Sequence, residues 1–209
     1  MELTLYHYWR SSSSWRVRWG LNIKALEYQS VAVNLLEGEQ KSPQFQTLNP
    51  MLQVPCLVVD GRPMAESMAI LEFLDEVAPT PSLLPGDAFQ RAHIRRLAEI
   101  INAGTQPMQN LAVMKRYSAD REEQQVWCRH WVEKGLAAYE DACRAQAGQF
   151  SFGDEVTLAD LYLIPQCYNA KRFSIDLGSF ALLEGIYKRA LELPSCEAAA
   201  PHNQPGAQL

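Results

Sequence analysis

Residues 53–67 read QVPCLVVDGRPMAES, and this stretch decides the fold of the first part of the chain. The apolar run over 55–59 predicts a strand, and Asp60-Gly61 is a strong signal for a tight hairpin turn. The returning strand is predicted over 62–65, and Ser67 is placed to cap a following helix. The stretch therefore predicts two antiparallel strands followed by a helix.

The residues before this stretch predict a strand, a helix and a second strand. Residues 3–8 alternate like a half-buried strand, 15–24 carry a helical face, and 28–33 form the next strand pattern. Two strands joined by a crossover helix lie parallel in one sheet. Together with the hairpin and its helix, this gives a βαβ-ββα domain over residues 1–80.

Helical patterns dominate the rest of the chain. A stretch with three prolines at 79–87 separates them from the first domain and is typical of a linker. The predicted helices cover 88–116, 121–146, 157–169 and 180–193, the first with a kink at Gln106-Pro107. Thr157 and Asp160 resemble a capping box. We expect an α/β domain followed by an all-helical domain over 88–209, with a surface tail at 194–209.

Composition excludes several classes of protein. The 209 residues carry 19 Lys+Arg and 24 Asp+Glu, and a net charge of −5 offers no broad cationic surface for nucleic acid. We find no apolar run long enough to span a bilayer and no leader pattern at the N-terminus, which favours a cytoplasmic protein without a membrane partner. The five cysteines and four histidines lack metal-ligand spacing, so we expect no metal and reduced thiols, most of them buried.

Polar residues collect at predicted helix starts and breaks. Ser11–Ser14 lie where a strand gives way to a helix, and this position suits an anion because free N–H groups meet there. The alternative is that one serine is the N-cap and the others are loop residues without a function. Val54-Pro55 is a plausible cis peptide whose backbone could pair with an extended ligand, or an ordinary strand start. Glu66-Ser67 is either a ligand site at a helix start or a capping pair. Arg172, near a helix end, could serve the helix dipole alone.

The chain resembles the zeta class of glutathione transferases in motifs spread over nearly its whole length. The most specific stretches are YWRSSSSWRVR (8–18), LNPMLQVP (48–55), GDEVTLADL (153–161) and NAKRF (169–173). The resemblance implies a thioredoxin-like domain, a helical domain, glutathione as cofactor and a homodimer. It also implies glutathione-dependent cis–trans isomerisation in aromatic amino acid catabolism. The implied substrate is the small carboxylated cis-enone maleylacetoacetate, and the implied product is fumarylacetoacetate.

The resemblance also implies roles for individual residues. Ser11 is expected to lie nearest the glutathione sulfur, with Ser12 second. The expected contacts to glutathione are Ser11, Ser12, Gln40, Gln53, Val54, Glu66, Ser67 and Gln109. The expected contacts to substrate are Arg10, Arg16, Gln106, Asn110 and Arg172, with Arg172 holding a carboxylate. The family's usual Ser-Ser-Cys motif ends in Ser13 here, and we expect the serines to suffice for activating the thiol.

Three other functions are compatible with the sequence. Maleylpyruvate isomerisation needs the same fold, but we expect more basic residues where this chain has Asn110-Leu111. A transferase or dehalogenase acting on small α-halo acids would use the same thiolate and make a thioether. A non-catalytic interaction module would be expected to lose the activating hydroxyl, and Ser11 and Ser12 argue against it.

Overall fold

The structure is a computed structural model that describes residues 1–207. A four-stranded sheet has the order β2-β1-β3-β4. The strands are β1 (Leu3–His7), β2 (Gln29–Ala32), β3 (Cys56–Val59) and β4 (Arg62–Ala65). β1 is parallel to β2 and antiparallel to β3, and β3 is antiparallel to β4. The predicted βαβ-ββα order is confirmed, and Pro63 is tolerated because β4 is an edge strand.

The chain divides into two compact units. Of the described residues, the first comprises 1–82 together with 193–207, and the second comprises Leu83–Glu192. The helices of the first unit are α1 (Ser12–Ile23), α2 (Pro43–Leu48), α3 (Ser67–Val77) and α9 (Pro194–Ala199). Those of the second are α4 (Ala88–Asn102), α5 (Leu111–Tyr117), α6 (Arg121–Cys143), α7 (Leu158–Arg172) and α8 (Ala181–Leu191).

Helix α1 is buried on nearly every side. It packs against α3 and α9, and its large side chains Trp15, Trp19 and Leu21 are at most 1% exposed. The cationic Arg16 and Arg18 on the same helix are equally buried. A helix covered all round does not show the one-sided apolar face that marks a surface helix.

The C-terminal prediction is wrong. Residues expected to form a surface tail instead form α9, with Cys196, Ala199 and Ala200 at most 1% exposed. The Trp19 indole N–H donates to Ser195 Oγ at 3.1 Å, which fastens α9 to α1. The segment therefore belongs to the first unit, whereas the sequence assigned it to a helical domain running to residue 209. The predicted tail and the predicted helical domain both end at Leu209, and Gln208 and Leu209 lie outside the described residues.

Helix α7 is the centre of the second unit. Its residues from Leu158 to Cys167 are buried, and it packs against α4, α6 and α8. The Asp160 carboxylate accepts hydrogen bonds from the N–H groups of Thr157 and Ser151, both at 2.8 Å. The predicted capping box is confirmed, and it satisfies donors that would otherwise be unpaired in the core.

The predicted kink at Pro107 is wrong because the helix stops altogether. Helix α4 ends at Asn102, a 3₁₀ turn covers Gln106–Gln109, and α5 begins at Leu111. Gly104 lies at the break, where a Cβ would come within 2.9 Å of the Ile100 carbonyl oxygen. A tight backbone approach and a proline without an N–H together end the helix. No helix within residues 1–207 is long and apolar enough to cross a membrane.

His7 at the end of β1 is fully buried in a polar network. Its Nδ1 lies 3.2 Å from Nη1 of Arg18, and its Nε2 lies 2.7 Å from Ser30 Oγ. Because the guanidinium can only donate, Nδ1 is the acceptor and Nε2–H donates to the serine. Burial, aided by the Arg18 charge, lowers the pKa of His7 from 6.5 to about 4.

We expect His7 to make the fold acid-sensitive. Between pH 6.5 and about 4 the unfolded chain binds a proton that the folded chain refuses, so stability falls as pH falls through this window. The slope from one such group is at most about 1.4 kcal/mol per pH unit. Denaturant unfolding of His7→Gln and of the unchanged protein across this range should show a smaller slope for the variant. Parallel curves would contradict the assignment.

Candidate active site

The serine cluster forms the start of α1. Ser11 is the N-cap residue, and its Oγ accepts the Ser14 N–H at 3.1 Å. The Ser11 hydroxyl donates to no group within residues 1–207, so its proton is available to a ligand. Ser12 is 9% exposed, and its hydroxyl has no hydrogen bond in the same part of the chain. Capping and ligand binding are therefore compatible at Ser11, since one uses the oxygen and the other the proton.

Val54 presents an unpaired backbone next to this helix start. The Val54-Pro55 peptide is cis, which was one of the two alternatives that the sequence left open. Neither the N–H nor the C=O of Val54 forms a hydrogen bond among the described residues, although the residue is only 9% exposed. Val54 and Tyr8 belong to one apolar cluster, which places this segment beside the residues that precede Ser11. An unpaired N–H and C=O pair suits an extended peptide ligand.

Helix α3 starts beside α1. The Arg16 guanidinium donates from Nη1 to Ser67 Oγ at 3.2 Å and so joins the two helices. Ser67 is the first helical residue and not the N-cap as predicted; Glu66 takes the cap position with φ 68°. The Glu66 side chain caps no N–H group of the helix and is exposed. The positive end of a helix dipole at such a start favours an anionic ligand.

The other predicted residues of the first unit differ in accessibility. Gln40 lies in a short 3₁₀ turn, where its buried Oε1 has no hydrogen-bond partner among the described residues. Gln53 is exposed, and its carbonyl accepts the Asn49 side-chain amide at 2.8 Å. The Arg10 guanidinium is half-buried and lies 5.4 Å from the centre of the Trp9 ring.

The predicted polar residues of the second unit gather around the break between α4 and α5. The Gln109 amide donates to Gln166 Oε1 at 2.6 Å, and Gln106 donates to Asn110 Oδ1 at 3.1 Å. Gln109 Oε1 and Gln166 Nε2 are buried and have no partner among the described residues. Arg172 is exposed in the last turn of α7, where it donates to Asn169 Oδ1 at 3.1 Å.

Comparison with known proteins establishes the family. Residues 1–76 match the family model of the glutathione S-transferase N-terminal domain. Maleylacetoacetate isomerase of Rattus norvegicus is 43% identical over 203 residues, 96% of this chain and 93% of the relative. A holo structure of maleylpyruvate isomerase, a bacterial zeta-class glutathione S-transferase, is similar at a TM-score of 0.95 and 37% identity, covering 98% of this chain and 100% of that one. This chain belongs to the zeta-class glutathione transferases.

A second solved structure carries a ligand in the corresponding fold. Maleylacetoacetate isomerase from Anaeromyxobacter dehalogenans 2CP-1, with glutathione bound in its active site, is similar at a TM-score of 0.89 and 48% identity. The similarity covers 99% of this chain and 98% of that chain. Residues 1–76, which match the model of the N-terminal domain, lie within the first unit described above.

The cysteines of this zeta-class transferase are poor nucleophiles. All five are buried and unpaired. Burial raises the pKa of Cys128 to about 11 and that of Cys143 and Cys196 to about 12. The pKa values of Cys56 and Cys167 are raised for the same reason. Because the thiolate is the reactive form, a nucleophilic sulfur at this site has to come from a ligand.

The structure places Arg16 and Gln166 differently from the sequence prediction. Arg16 was predicted to assist with a substrate carboxylate, but it is 1% exposed and bonded to Ser67, so it holds α1 against α3. Gln166 was not predicted as a site residue, yet it binds the Gln109 side chain directly. Its one signal in the sequence is the neighbouring Pro165, which marks an unusual position inside a helix.

Proposed function

We propose that this chain is a glutathione-dependent cis–trans isomerase that converts maleylacetoacetate into fumarylacetoacetate. The observation that carries the proposal is the start of α1, where the Ser11 and Ser12 hydroxyl protons are available in a chain whose own thiols are all buried. Similarity over nearly the full length to the rat maleylacetoacetate isomerase supports the choice of substrate.

The residues of the first unit suit the parts of the glutathione tripeptide. The unpaired N–H and C=O of Val54 suit its peptide backbone, and the positive end of the α3 dipole at Glu66-Ser67 suits a carboxylate. The unpartnered Oε1 of Gln40 offers an acceptor for an N–H donor, and Gln53 is accessible from solvent. We assign glutathione binding to this unit together with Gln109, and substrate binding to Gln106, Asn110 and Arg172, with Arg10 assisting.

The serine at the helix start is needed to activate a thiol at neutral pH. When bound, glutathione supplies the nucleophile whose reversible addition to the cis double bond allows rotation about it. Lowering a thiol pKa of about 8.5 by 2 units requires about 2.7 kcal/mol. A helix dipole provides about 0.3–1 kcal/mol, whereas a hydroxyl donating to an anion adds about 1.5–3 kcal/mol. The Ser11 hydroxyl therefore has to donate to the sulfur.

Cationic side chains would complete the site. A guanidinium binds a carboxylate with two parallel hydrogen bonds and does not lose its charge at neutral pH. Arg172 is accessible for this contact, and Arg10 is partly accessible. Fixed positive charge would also stabilise the negative charge that develops on the conjugated ketone.

The function is tested by following products. The protein is incubated with glutathione and maleylacetoacetate, and the isomers and free thiol are followed by proton NMR. Formation of the trans isomer with glutathione unconsumed supports the proposal. A stable thioether with loss of free thiol would instead indicate a transferase, and the same assay with an α-halo acid tests that activity. Absence of turnover, with glutathione bound or not, would contradict an isomerase.

Maleylpyruvate is the second candidate substrate. It is supported by the similarity in fold and sequence to the bacterial maleylpyruvate isomerase, at a TM-score of 0.95 and 37% identity. The two diketo acids differ in the length of the chain beyond the ketone, so the ratio of kcat/KM values in the same NMR assay decides between them. A higher kcat/KM for maleylpyruvate would replace the first assignment.

We also expect the protein to be a homodimer, as the resemblance to its family implies. The chain mass is 23.6 kDa, so light scattering at micromolar concentration should give twice that value. A single species at the chain mass would contradict the expectation.

A further inference from the structure

The Arg18 guanidinium is buried beneath the loop that joins β1 to α1. It is 0% exposed, and it donates to the Tyr8 carbonyl at 3.3 Å, the Trp9 carbonyl at 3.1 Å and the Ala199 carbonyl at 2.9 Å. Its fourth acceptor is His7 Nδ1 at 3.2 Å. No carboxylate of the described residues pairs with it. A buried cation without a counter-charge is costly, and this one is held entirely by neutral acceptors.

One of these acceptors also holds the N-cap serine. The Tyr8 carbonyl accepts the Ser11 N–H at 3.0 Å as well as the Arg18 guanidinium, and the Tyr8 N–H donates to Ser14 Oγ at 3.4 Å. Arg18 therefore reaches back along its own helix and clamps the two residues whose backbone leads into Ser11. The bond to Ala199 ties the same guanidinium to the end of α9.

We propose that Arg18 is a positioning residue for Ser11: by fixing the Tyr8 and Trp9 carbonyls against α1 and α9, it sets where the Ser11 hydroxyl points. The inference rests on the proposed function, because it gives the serine a sulfur to activate. It predicts that catalysis depends on a side chain that has no accessible surface and touches neither glutathione nor substrate.

A guanidinium is the group that this arrangement requires. Its planar fork carries donors on three nitrogens, and here all three nitrogens are used, on acceptors from two different segments. A lysine ammonium would bring the charge to the same place on a single nitrogen and could not span these acceptors. Although burial lowers the pKa of Arg18 to about 9, the group stays charged at neutral pH. Its positive charge therefore adds to that of the helix N-terminus.

The test compares Arg18→Met and Arg18→Lys with Lys24→Met. Lys24 is a matched control because it is a second buried cation, at the C-cap of α1. Its ammonium is bonded to Asp75 at 2.7 Å and to the Pro81 carbonyl, away from the serine loop. The pKa of the glutathione thiol in each complex is measured from thiolate absorbance against pH. Isomerase kcat, glutathione Kd and thermal midpoint are measured alongside.

We expect Arg18→Met to raise the bound thiol's pKa by roughly 0.5–1 unit, which lowers the thiolate fraction, and with it kcat at pH 7, about 1.5- to threefold. Glutathione affinity should stay within a few-fold. Arg18→Lys should recover part of the pKa shift and less of kcat, because it restores charge without geometry. Lys24→Met should lose thermal stability while the thiol pKa is unchanged.

An Arg18→Met protein with the pKa and kcat of the unchanged protein would overturn the inference and leave the proposed function intact. If the unchanged protein neither binds glutathione nor converts maleylacetoacetate, the proposed function is wrong, and the inference that rests on it is wrong as well. If the variants do not fold, hydrogen exchange in the unchanged protein decides. Glutathione should then slow exchange of the Ser11 amide and of the Arg18 Nε–H together, and rapid exchange at Arg18 beside a protected Ser11 would overturn the proposal.

Discussion

Ser11→Ala is expected to raise the pKa of the bound glutathione thiol by about 1–2 units and, because the thiolate fraction falls accordingly, to lower kcat/KM at pH 7 roughly three- to 25-fold. The lost interaction is the hydrogen bond that the Ser11 hydroxyl would donate to the thiolate. Because only the thiolate reacts, the acid limb of the pH profile should move to higher pH. Activity should recover above about pH 8.5, where a free thiol ionises unaided.

The variant also removes an N-cap, and this effect has to be separated from the loss of the donor. Ser11 Oγ accepts the Ser14 N–H, so alanine should cost about 1 kcal/mol of stability. Ser11→Gly loses the same hydroxyl with a smaller capping penalty, whereas Ser11→Thr keeps both. We expect the thiol pKa to follow the hydroxyl and the unfolding free energy to follow the cap.

Ser12→Ala is the matched comparison at the next residue. Its hydroxyl has no partner among the described residues, so its loss should leave the fold nearly unchanged. If Ser11→Ala leaves the thiol titration where it was and Ser12→Ala moves it, Ser12 is the donor. If neither moves it, no serine hydroxyl activates the thiol and the mechanism proposed above is wrong.

The sheet was predictable because its signals are local. Alternation over residues 3–8 gave β1, and Asp60-Gly61 gave the hairpin of β3 and β4, whose register pairs Cys56 with Ala65. Each signal depends on neighbouring residues and on the two-residue period of a strand. The start of α1 was predictable only in part, since the helical face was expected over 15–24 and the helix begins at Ser12, with Ser11 as the one serine of the run that caps it.

Elements that depend on distant contacts were not predictable. Helix α9 has six residues, too few to show a helical period, and its burial comes from Trp19 and Arg18, more than 170 positions away in the chain. The burial of Arg16 was missed because a cation beside a predicted ligand site suggests a substrate contact. Its partner, Ser67, lies 51 positions further along the chain, and no local pattern connects the two.

In the second unit, too, the local sequence did not predict how the chain runs at the candidate site. The polar side chains around Pro107 were expected to line one side of a kinked helix, but the chain breaks there and Gln109 turns onto Gln166. Proline predicts that a helix is disturbed without predicting by how much. In this chain Gly104 and the 3₁₀ turn decide the outcome, because together they end α4 five residues before Pro107.

Arg172→Ala is expected to lower kcat/KM for a dicarboxylate substrate roughly ten- to a hundredfold, the effect of losing a charge-assisted contact worth about 1.5–3 kcal/mol. Arg172 is exposed in the last turn of α7 and bonds Asn169, so its guanidinium is both accessible and oriented. Glutathione affinity should stay within a few-fold, because we assign glutathione binding to the first unit together with Gln109. Arg172→Lys should retain part of the activity, since it keeps the charge but not the paired hydrogen bonds.

Lys171→Ala is the matched control for this prediction. Lys171 is an exposed cation one position earlier, and its ammonium lies 4.6 Å from the centre of the Tyr187 ring. Its loss changes the net charge by the same amount, so any general electrostatic effect on an anionic substrate should appear in both variants. Turnover of an uncharged electrophile, such as an aryl halide, isolates the carboxylate contact. If Arg172→Ala lowers activity equally toward the dicarboxylate and the aryl halide, Arg172 supports the end of α7, and the carboxylate contact falls to Arg10.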